Sequence, residues 1–520
     1  MIKDLDILVS PKKAGDTEEI KNSIARKLSV RNTDINHISV LRRSVDARQR
    51  PVQINLRVRV FVGEDPKAEQ SPEFDYQDVS QAREIIIVGA GPAGLFASLR
   101  LIELGYRPII LERGKPVSER KIDIAKLNRN EHIDPDSNYC FGEGGAGTFS
   151  DGKLYTRSKK RGDVQRILDI FIHHGADPKI SIEAHPHIGS DKLPGIITNM
   201  RQTILNAGGL IEYNSRVSEL IIADGRLKGV KTERGDLYEA EAVILATGHS
   251  ARDIYQLLKE CNIYMEVKGF AMGVRVEHPQ KLIDRLQYHH PAGRGDYLPA
   301  AEYNLATQVG GRGVYSFCMC PGGNIVPSST NDKELVVNGM SNSGRSSEWA
   351  NSGLVVEIRE EDLVAYQDHG PLAGLAFQKE LEHLAFSNGG NGQVAPAQRL
   401  TDFTAGKLSA SLPDCSYHPG LISSPLHFWL PESISGRLKK GLIQFNKRMN
   451  GYLSKDALMV GVESRTSSPV RIPRGMESFE HQGMPGLFPC GEGAGYAGGI
   501  ASCAMDGAKC AEAVVRNFAG

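Results

Sequence analysis

The glycines at positions 89, 91 and 94 have the Gly-x-Gly-x-x-Gly spacing of a turn that binds dinucleotide phosphates. They follow the β-branched run Ile85 to Val88 and open an apolar helix, and a second predicted strand ends at Glu112. In such a unit the three glycines permit, in order, a tight turn, close approach of the diphosphate, and packing of the helix on the sheet. A carboxylate at Glu112 would accept both hydrogen bonds from an adenosine ribose and repel a 2′-phosphate, which favours FAD or NAD over NADP. The expected contact residues are Gly89, Ala90, Gly91, Pro92, Ala93, Gly94, Glu112 and Arg113.

Two later segments favour FAD over NAD. Residues 486–500 contain a strand, a glycine-rich loop and the start of a helix, and resemble the second flavin motif of the glutathione-reductase-type FAD fold. The resemblance implies that an acid after a glycine holds the ribitol and that the N-terminus of the following helix points at the flavin ring. The run Ala242 to Gly248 resembles the strand that closes such a domain, and Val217 lies where a strand would meet the adenine. The further cofactor residues implied are Val217, Ala246, Thr247, Gly248, Gly491, Glu492, Gly498, Gly499 and Ile500.

The segment 143–153 is also rich in glycine and is expected to wrap the diphosphate or the edge of the isoalloxazine ring. Gly145 and Gly147 are the expected contacts there. Asp151 and Lys153 could face the cavity, with a surface salt pair as the alternative.

Several polar residues are candidates for substrate binding or catalysis. His185 and His187 could bind an anionic substrate or relay a proton, with loop hydrogen bonding as the alternative, and no metal is expected because a third ligand is missing. Cys318 and Cys320 would share one face of a strand, where paired thiols could exchange electrons with a flavin, although buried free cysteines are common in protein cores. Arg275 and Arg399 could anchor a substrate carboxylate or form structural ion pairs.

The elements that must position these residues indicate an α/β protein with four segments. Residues 1–75 are expected to form a small ferredoxin-like α/β plait, with a helix from Asp16 to Lys27 capped by Thr17, and residues 64–83 are expected to be a linker. A Rossmann-like, three-layer FAD/NAD(P)-binding domain, split in sequence, is expected at 83–262 and 451–520. Between its two parts, 263–450 are expected to form a mixed α+β substrate domain.

Composition sets the remaining limits. The chain has 520 residues, and its 62 basic and 62 acidic side chains cancel, so no overall field attracts it to nucleic acid or membrane. The N-terminus lacks the features of a signal peptide, eight sparse cysteines suggest no disulfide framework, and a cytoplasmic location is expected. A local excess of nine Lys/Arg over two Asp/Glu between Arg26 and Arg59 leaves an RNA or acidic partner open.

Five segments together carry a family resemblance: residues 141–154, 185–195, 246–253, 317–323 and 491–500. They resemble the bacterial family of uncharacterised FAD-dependent, or "NAD(FAD)-utilizing", dehydrogenases over essentially the whole chain. The resemblance implies an FAD-dependent oxidoreductase that moves hydride through flavin N5 to or from a small molecule, but it names no substrate. The same cavity could admit NAD(P)H as a transient electron donor, since no second Gly-x-Gly-x-x-Gly lies between 150 and 480. The alternatives are a flavoprotein that acts on or binds RNA through the basic N-terminal segment, and a flavin sensor or scaffold without enzymatic activity.

Overall fold

A computed structural model describes residues 1–48, 50–66, 72–156 and 162–519. Its helices are α1 Thr17–Leu28, α2 Pro92–Glu103, α3 Val117–Asn128, α4 Val164–His173, α5 Leu193–Asn206, α6 Arg252–Glu260, α7 Gln280–Tyr288, α8 Ala373–Ser387, α9 Leu400–Ala405, α10 Leu426–Trp429, α11 Glu432–Arg448 and α12 Ile500–Ala519. The first eleven strands are β1 Ile2–Val9, β2 Ile35–Asp46, β3 Gln53–Val62, β4 Glu84–Val88, β5 Arg107–Leu111, β6 Leu210–Glu212, β7 Val217–Ala223, β8 Arg226–Thr232, β9 Leu237–Glu239, β10 Val243–Leu245 and β11 Glu266–Val267. The others are β12 Phe270–Pro279, β13 Ala306–Val309, β14 Arg312–Cys320, β15 Gly323–Pro327, β16 Val337–Ser341, β17 Trp349–Ile358, β18 Ala395–Arg399, β19 Leu421–Ser423, β20 Leu458–Glu463, β21 Val470–Arg471 and β22 Leu487–Pro489.

The N-terminal module, residues 1–66, is a three-stranded antiparallel sheet in the order β1-β3-β2 with α1 packed against it. This β-α-β-β arrangement lacks the second helix and fourth strand of a ferredoxin-like plait among the described residues, so that expectation is corrected. The helix begins at Thr17, and its N-cap is Asp16 rather than Thr17. The Asp16 carboxylate accepts hydrogen bonds from the backbone N–H groups of Glu18 and Glu19.

The segment expected to be a linker is anchored at its C-terminal end. Val79 is buried in the core of the next domain, and its N–H donates to the Ala207 carbonyl at 2.8 Å. The Phe74 and Tyr76 rings stack on each other and contact His173 of α4. Residues 67–71 of the expected linker lie outside the described part of the chain.

The glycine-rich segments belong to a five-stranded parallel sheet in the order β22-β10-β4-β5-β6. Alternate residues of β4 pack on opposite sides of this sheet. Ile85 and Ile87 join the core beneath α2, α5 and α12, whereas Ile86 and Val88 join the core that includes α6 and the antiparallel strands β7 and β8. The result is a three-layer α/β domain assembled from both ends of the split sequence.

The second large sheet has seven strands in the order β13-β14-β17-β12-β20-β18-β19. Strand β20, at 458–463, pairs with both β12 and β18, so this domain extends past the boundary expected at 450. The β2–β3 hairpin of the N-terminal module reaches this domain, since Val52 is buried in its core. No helix within the described ranges is both long and apolar enough to span a bilayer.

The basic stretch of the N-terminal module is partly neutralised, because four of its nine Lys/Arg side chains form ion pairs. Arg31, Arg48 and Arg59 form ion pairs with Asp34, Asp46 and Asp4, and Arg43 pairs with Glu183. The other five, Arg26, Lys27, Arg42, Arg50 and Arg57, form no ion pair among the described residues, so a positive excess remains.

Candidate functional site

An elongated cavity, here called the glycine-lined cavity, lies at the carboxyl ends of the parallel strands, where ligands of open α/β sheets bind. It encloses about 960 Å³ counted to its open mouth. Its walls come from segments that are far apart in sequence, among them the turn after β4, the turn after β10 and the loop between β22 and α12. Seven of its lining residues are glycines, namely Gly89, Gly91, Gly142, Gly145, Gly147, Gly248 and Gly499.

The turn between β4 and α2 depends on its glycines for steric reasons. Gly89 has φ +106°, and a Cβ at this position would lie 2.6 Å from the Ala246 carbonyl oxygen. A Cβ on Gly94 would lie 2.0 Å from the Gly89 oxygen, so only glycine lets α2 pack this closely. Gly91 is the N-cap of α2 and supplies no side-chain cap, which leaves the first N–H groups of the helix available to an anion in the cavity.

Glu112 is buried at the end of β5 and joins three backbone segments. Its Oε2 accepts a hydrogen bond from the Ala90 N–H at 2.8 Å, and its Oε1 accepts from Gly114 at 2.8 Å and Gly142 at 3.0 Å. A carboxylate offers about four acceptor positions. Backbone N–H groups therefore use three of these positions, and a single position on Oε2 remains for a ligand hydroxyl. The sequence predicted two hydrogen bonds from the ribose, so Glu112 can accept one fewer than expected.

Arg113 also lines the cavity, but its charge is already balanced. Its guanidinium donates to Asp136 at 2.8 Å and to Asp253 at 2.9 Å, and it lies 4.1 Å from the centre of the Phe141 ring. It is therefore part of the wall rather than a free cation.

The cavity lining also includes an acid and an imidazole, Glu492 and His249. Their Oε1 and Nδ1 atoms are 3.7 Å apart, and His249 Nε2 lies 3.0 Å from the Arg465 carbonyl oxygen. Because a carbonyl only accepts, Nε2 carries the proton and the Nδ1 lone pair faces Glu492. Burial raises the pKa of Glu492 to about 7, and burial together with the nearby Arg465 charge lowers the pKa of His249 to about 4.

The residues predicted to bind the cofactor, including those described above, divide into two groups. Those that line the cavity are Gly89, Gly91, Pro92, Ala93, Glu112, Arg113, Gly145, Gly147, Val217, Ala246, Thr247, Gly248, Glu492, Gly499 and Ile500. Ala90, Gly94, Gly491 and Gly498 lie outside its lining. Ala90 donates its N–H to Glu112, Gly491 to Asp506 and Gly498 to Ser502.

The two predicted histidines line a different opening. His185 and His187 face a larger cleft beside the N-terminal module, and His185 Nδ1 is hydrogen-bonded to Glu302. This bond raises the pKa of His185, whereas burial and the nearby Arg345 charge lower the pKa of His187.

Lys153, Cys320 and Arg275 come together between the two domains. Lys153 Nζ lies 3.8 Å from the Cys320 sulfur and 3.2 Å from an Asp151 oxygen. Asp151 and Lys153 therefore form an ion pair, but Asp151 is buried rather than at the surface, and neither residue lines the glycine-lined cavity. Both cysteines of β14 are free, but Cys318 is exposed whereas Cys320 is buried. Cys318 has φ +43° at a bulge in the strand, which interrupts the alternation that would place the two thiols on one face.

Neither predicted arginine anchor is available to a ligand. Arg275 is fully buried, and its N–H groups are engaged by Asn351, Asn338, Glu463, the Cys318 carbonyl and the Cys320 sulfur. Arg399 donates to the Ser411 carbonyl at 2.7 Å and to Lys455, and it lines neither opening. Both arginines stabilise local structure.

Three polar residues of these openings were not selected from the sequence. His249 directly follows the Ala-Thr-Gly turn after β10, and a polar residue at the carboxyl end of a parallel strand could have indicated it. Arg345 and Glu302 lie in loops without a recognisable motif. Folding alone brings them to the cleft that His185 lines.

Comparison with protein families gives two matches. Residues 269–466 match the family described as "FAD-dependent protein, C-terminal domain-like", and residues 1–61 match a domain of unknown function, DUF8436. Protein FixC of Escherichia coli K12 is 27% identical over 39% of this chain and 46% of its own length, so the chain spans about half of that relative. Glycine oxidase from Bacillus cereus is 14% identical over 84% of this chain and 95% of that chain, with a TM-score of 0.32, too low to decide fold or chemistry.

A much more similar relative spans the entire length. An uncharacterised protein of Clostridium beijerinckii is 39% identical over 97% of both chains. The chain therefore belongs to the same family as this Clostridium protein, and its seven-stranded domain matches the C-terminal domain of FAD-dependent proteins.

Proposed function

We propose that the glycine-lined cavity binds FAD and that the chain is an FAD-dependent oxidoreductase acting on a small molecule. The convergence of three distant segments on one cavity carries this proposal: the turn after β4 with Glu112, the turn after β10, and Glu492 with Gly499 and Ile500. The cavity fits the cofactor because its glycines leave space for a diphosphate beside the N-terminus of α2, and the match of residues 269–466 to FAD-dependent proteins supports the same cofactor.

Two parts of the cavity have distinct tasks in this proposal. Near α2, the backbone N–H groups neutralise the diphosphate, and the free acceptor position of Glu112 receives one ribose hydroxyl. From the loop between β22 and α12, Gly499 and Ile500 present the N-terminus of α12, whose positive dipole end stabilises negative charge on the ligand there.

Bound FAD supplies hydride transfer at its N5 position. Glu492 and His249 are placed to manage a proton in the same cavity. Glu492 holds a proton near neutral pH, and His249 stays neutral with its Nδ1 lone pair towards Glu492. We propose NAD(P)H, bound transiently, as one source of electrons.

The first experiment measures the FAD content of the purified protein and its uptake of added FAD by absorbance and chromatography. We expect an equimolar, yellow complex, and we expect Glu112→Gln to lose FAD because the amide NH₂ cannot accept the backbone N–H bonds. Glu119→Gln, an exposed change at the first turn of α3, is the matched control and should retain FAD. Folded wild-type protein that takes up no FAD would overturn the proposal.

A second experiment tests the oxidoreductase activity. The flavin spectrum is followed anaerobically during addition of NADH, then NADPH, then a panel of small metabolites. Bleaching by any of these donors is the expected result. A bound flavin that none of them reduces would instead favour a sensor or scaffold.

A further inference from the structure

The larger opening, here called the basic cleft, lies between the N-terminal module and the rest of the chain. Its walls are residues 42–48 of the β2–β3 hairpin, residues 175–188, and the loops that carry Glu302 and Arg345. Counted to its mouth it encloses about 2880 Å³, three times the 960 Å³ of the glycine-lined cavity. Among the described residues, none lines both openings.

The wall from the N-terminal module is held in place by main-chain hydrogen bonds. The Arg43 N–H donates to the Ile182 carbonyl at 2.7 Å, and the Ala184 N–H donates to the Arg43 carbonyl at 2.9 Å. An ion pair of 3.1 Å between Arg43 and Glu183 lies at the same point. The cleft is therefore a fixed feature of the fold rather than a gap between unconnected domains.

The charges on its walls do not cancel. Arg43, Arg48 and Lys179 each have a carboxylate partner. Arg42 and Lys192, both exposed in the cleft, form no ion pair with any residue that the structure describes. These two side chains leave an excess of positive charge facing the opening.

A buried cation that is already paired with carboxylates, Arg345, also lines the cleft. Arg345 is only 10% exposed and shares the Asp151 carboxylate, at 2.9 Å, with Lys153, at 3.2 Å. One carboxylate thus faces two cations. The Arg345 Nη1 atom is 4.0 Å from Glu302, which is itself hydrogen-bonded to His185.

We propose that the basic cleft binds a small organic dianion, held between the N-terminal module and the body of the chain. Arg42 and Lys192 are the two side chains free to meet its charges, and Arg345 and His187 line the inner wall. Tyr288, Pro299 and Ile188 supply apolar surface for a carbon skeleton. A long nucleic acid fits less well, because Asp177, Glu183 and Glu302 also line the cleft and would repel a continuous row of phosphates.

The dianion site stands independently of the proposed FAD site, because the described linings of the two openings have no residue in common. A short segment nevertheless connects them. Gly147 lines the glycine-lined cavity and accepts a hydrogen bond from the Ser150 hydroxyl at 2.7 Å, and the adjacent Asp151 holds Arg345 in the wall of the basic cleft. A ligand in the cleft would therefore lie next to the loop that borders the other cavity.

The test is isothermal titration of the purified full-length protein with succinate and, separately, with inorganic phosphate, which distinguish a dicarboxylate from a phosphate ligand. We expect at least one of them to bind in the millimolar range or tighter. The double variant Arg42→Gln/Lys192→Gln should weaken that binding about tenfold or more, and added sodium chloride should weaken it in the wild type.

The matched control is Lys440→Gln, an exposed lysine of α11 that lines neither opening. It should bind the probe as the wild type does, and all variants should keep the wild-type FAD content. The proposal is overturned if neither probe binds, if the double variant binds like the wild type, or if Lys440→Gln loses as much affinity. None of these outcomes depends on whether the protein binds FAD.

Discussion

Replacement of Gly94 by alanine should destabilise the chain and weaken the proposed binding of FAD. The new Cβ would lie 2.0 Å from the Gly89 carbonyl oxygen and 3.2 Å from Ile87 Cγ2, whereas ordinary contacts begin at 3.4 Å. The carbonyl and the helix must therefore separate by about 1.4 Å, the difference between 3.4 and 2.0 Å. Overpacking of this kind costs about 1–3 kcal/mol, and we expect the upper part of that range because backbone atoms, not a flexible side chain, must move.

The same substitution at Gly195 is the control. Gly195 lies near the start of α5 and is exposed, and a Cβ added there would meet no atom within 4 Å. Alanine there should be neutral or raise the free energy of unfolding by up to about 1 kcal/mol, since alanine favours helix more than glycine does. Thermal unfolding by circular dichroism and FAD retained after gel filtration measure both variants. If Gly94→Ala unfolds at the wild-type temperature and keeps its FAD, the steric account of the turn is wrong.

Two further substitutions test buried charges. In the FAD-free protein, Glu492 binds a proton that the unfolded chain releases, because its pKa is raised from 4.5 to about 7. The free energy of unfolding of the wild type should therefore fall by about 3 kcal/mol in total as pH rises through this interval. Glu492→Gln should remove this pH dependence, which melting curves recorded from about pH 5 to about pH 8 would measure. The same pH dependence in both proteins would contradict the expected protonation of Glu492. Glu463→Gln leaves Arg275 buried without a charged partner and should cost about 3–5 kcal/mol in denaturant unfolding. Glu361→Gln, which removes a largely exposed partner of Arg312, should cost at most about 1 kcal/mol of unfolding free energy. If Glu463→Gln and Glu361→Gln lose the same stability, burial does not determine the cost of breaking these ion pairs.

The glycine turn could be predicted from the sequence because its determinants are local. A strand, three spaced glycines, a helix and a second strand occur within residues 85–112. Gly94 is required by a close contact inside that unit, and Gly89 by a close contact with Ala246, the residue after β10. The loops after β10 and β22 were recognised for the same reason, since each directly follows a strand of the parallel sheet.

The organisation of the rest depends on contacts between distant residues. In sequence, strand β20 is a short apolar run close to the second part of the split α/β domain. In the structure it is hydrogen-bonded into the seven-stranded sheet, so that domain ends later than the expected boundary at 450. A single arginine in a sequence also does not reveal its partners. Arg275 pairs with Glu463, 188 positions away, and Arg345 pairs with Asp151, 194 positions away. Arg275 is fully buried among hydrogen-bond acceptors, whereas Arg345 lines the wall of the basic cleft. The sequence alone does not distinguish a structural arginine from one that can contact a ligand.

The two openings differ in how they would neutralise a negative charge, and this difference has a physical consequence. In the glycine-lined cavity the donors are backbone N–H groups at a helix N-terminus. The arginines Arg113 and Arg216 also line this cavity, but both are already paired with carboxylates. In the basic cleft the donors are the exposed side chains of Arg42 and Lys192. Exposed charges are screened over roughly 8 Å at physiological ionic strength, whereas short hydrogen bonds from enclosed amides are affected much less. Raising the salt concentration should therefore empty the basic cleft while the glycine-lined cavity keeps its ligand, which allows the two sites to be studied separately in the same protein.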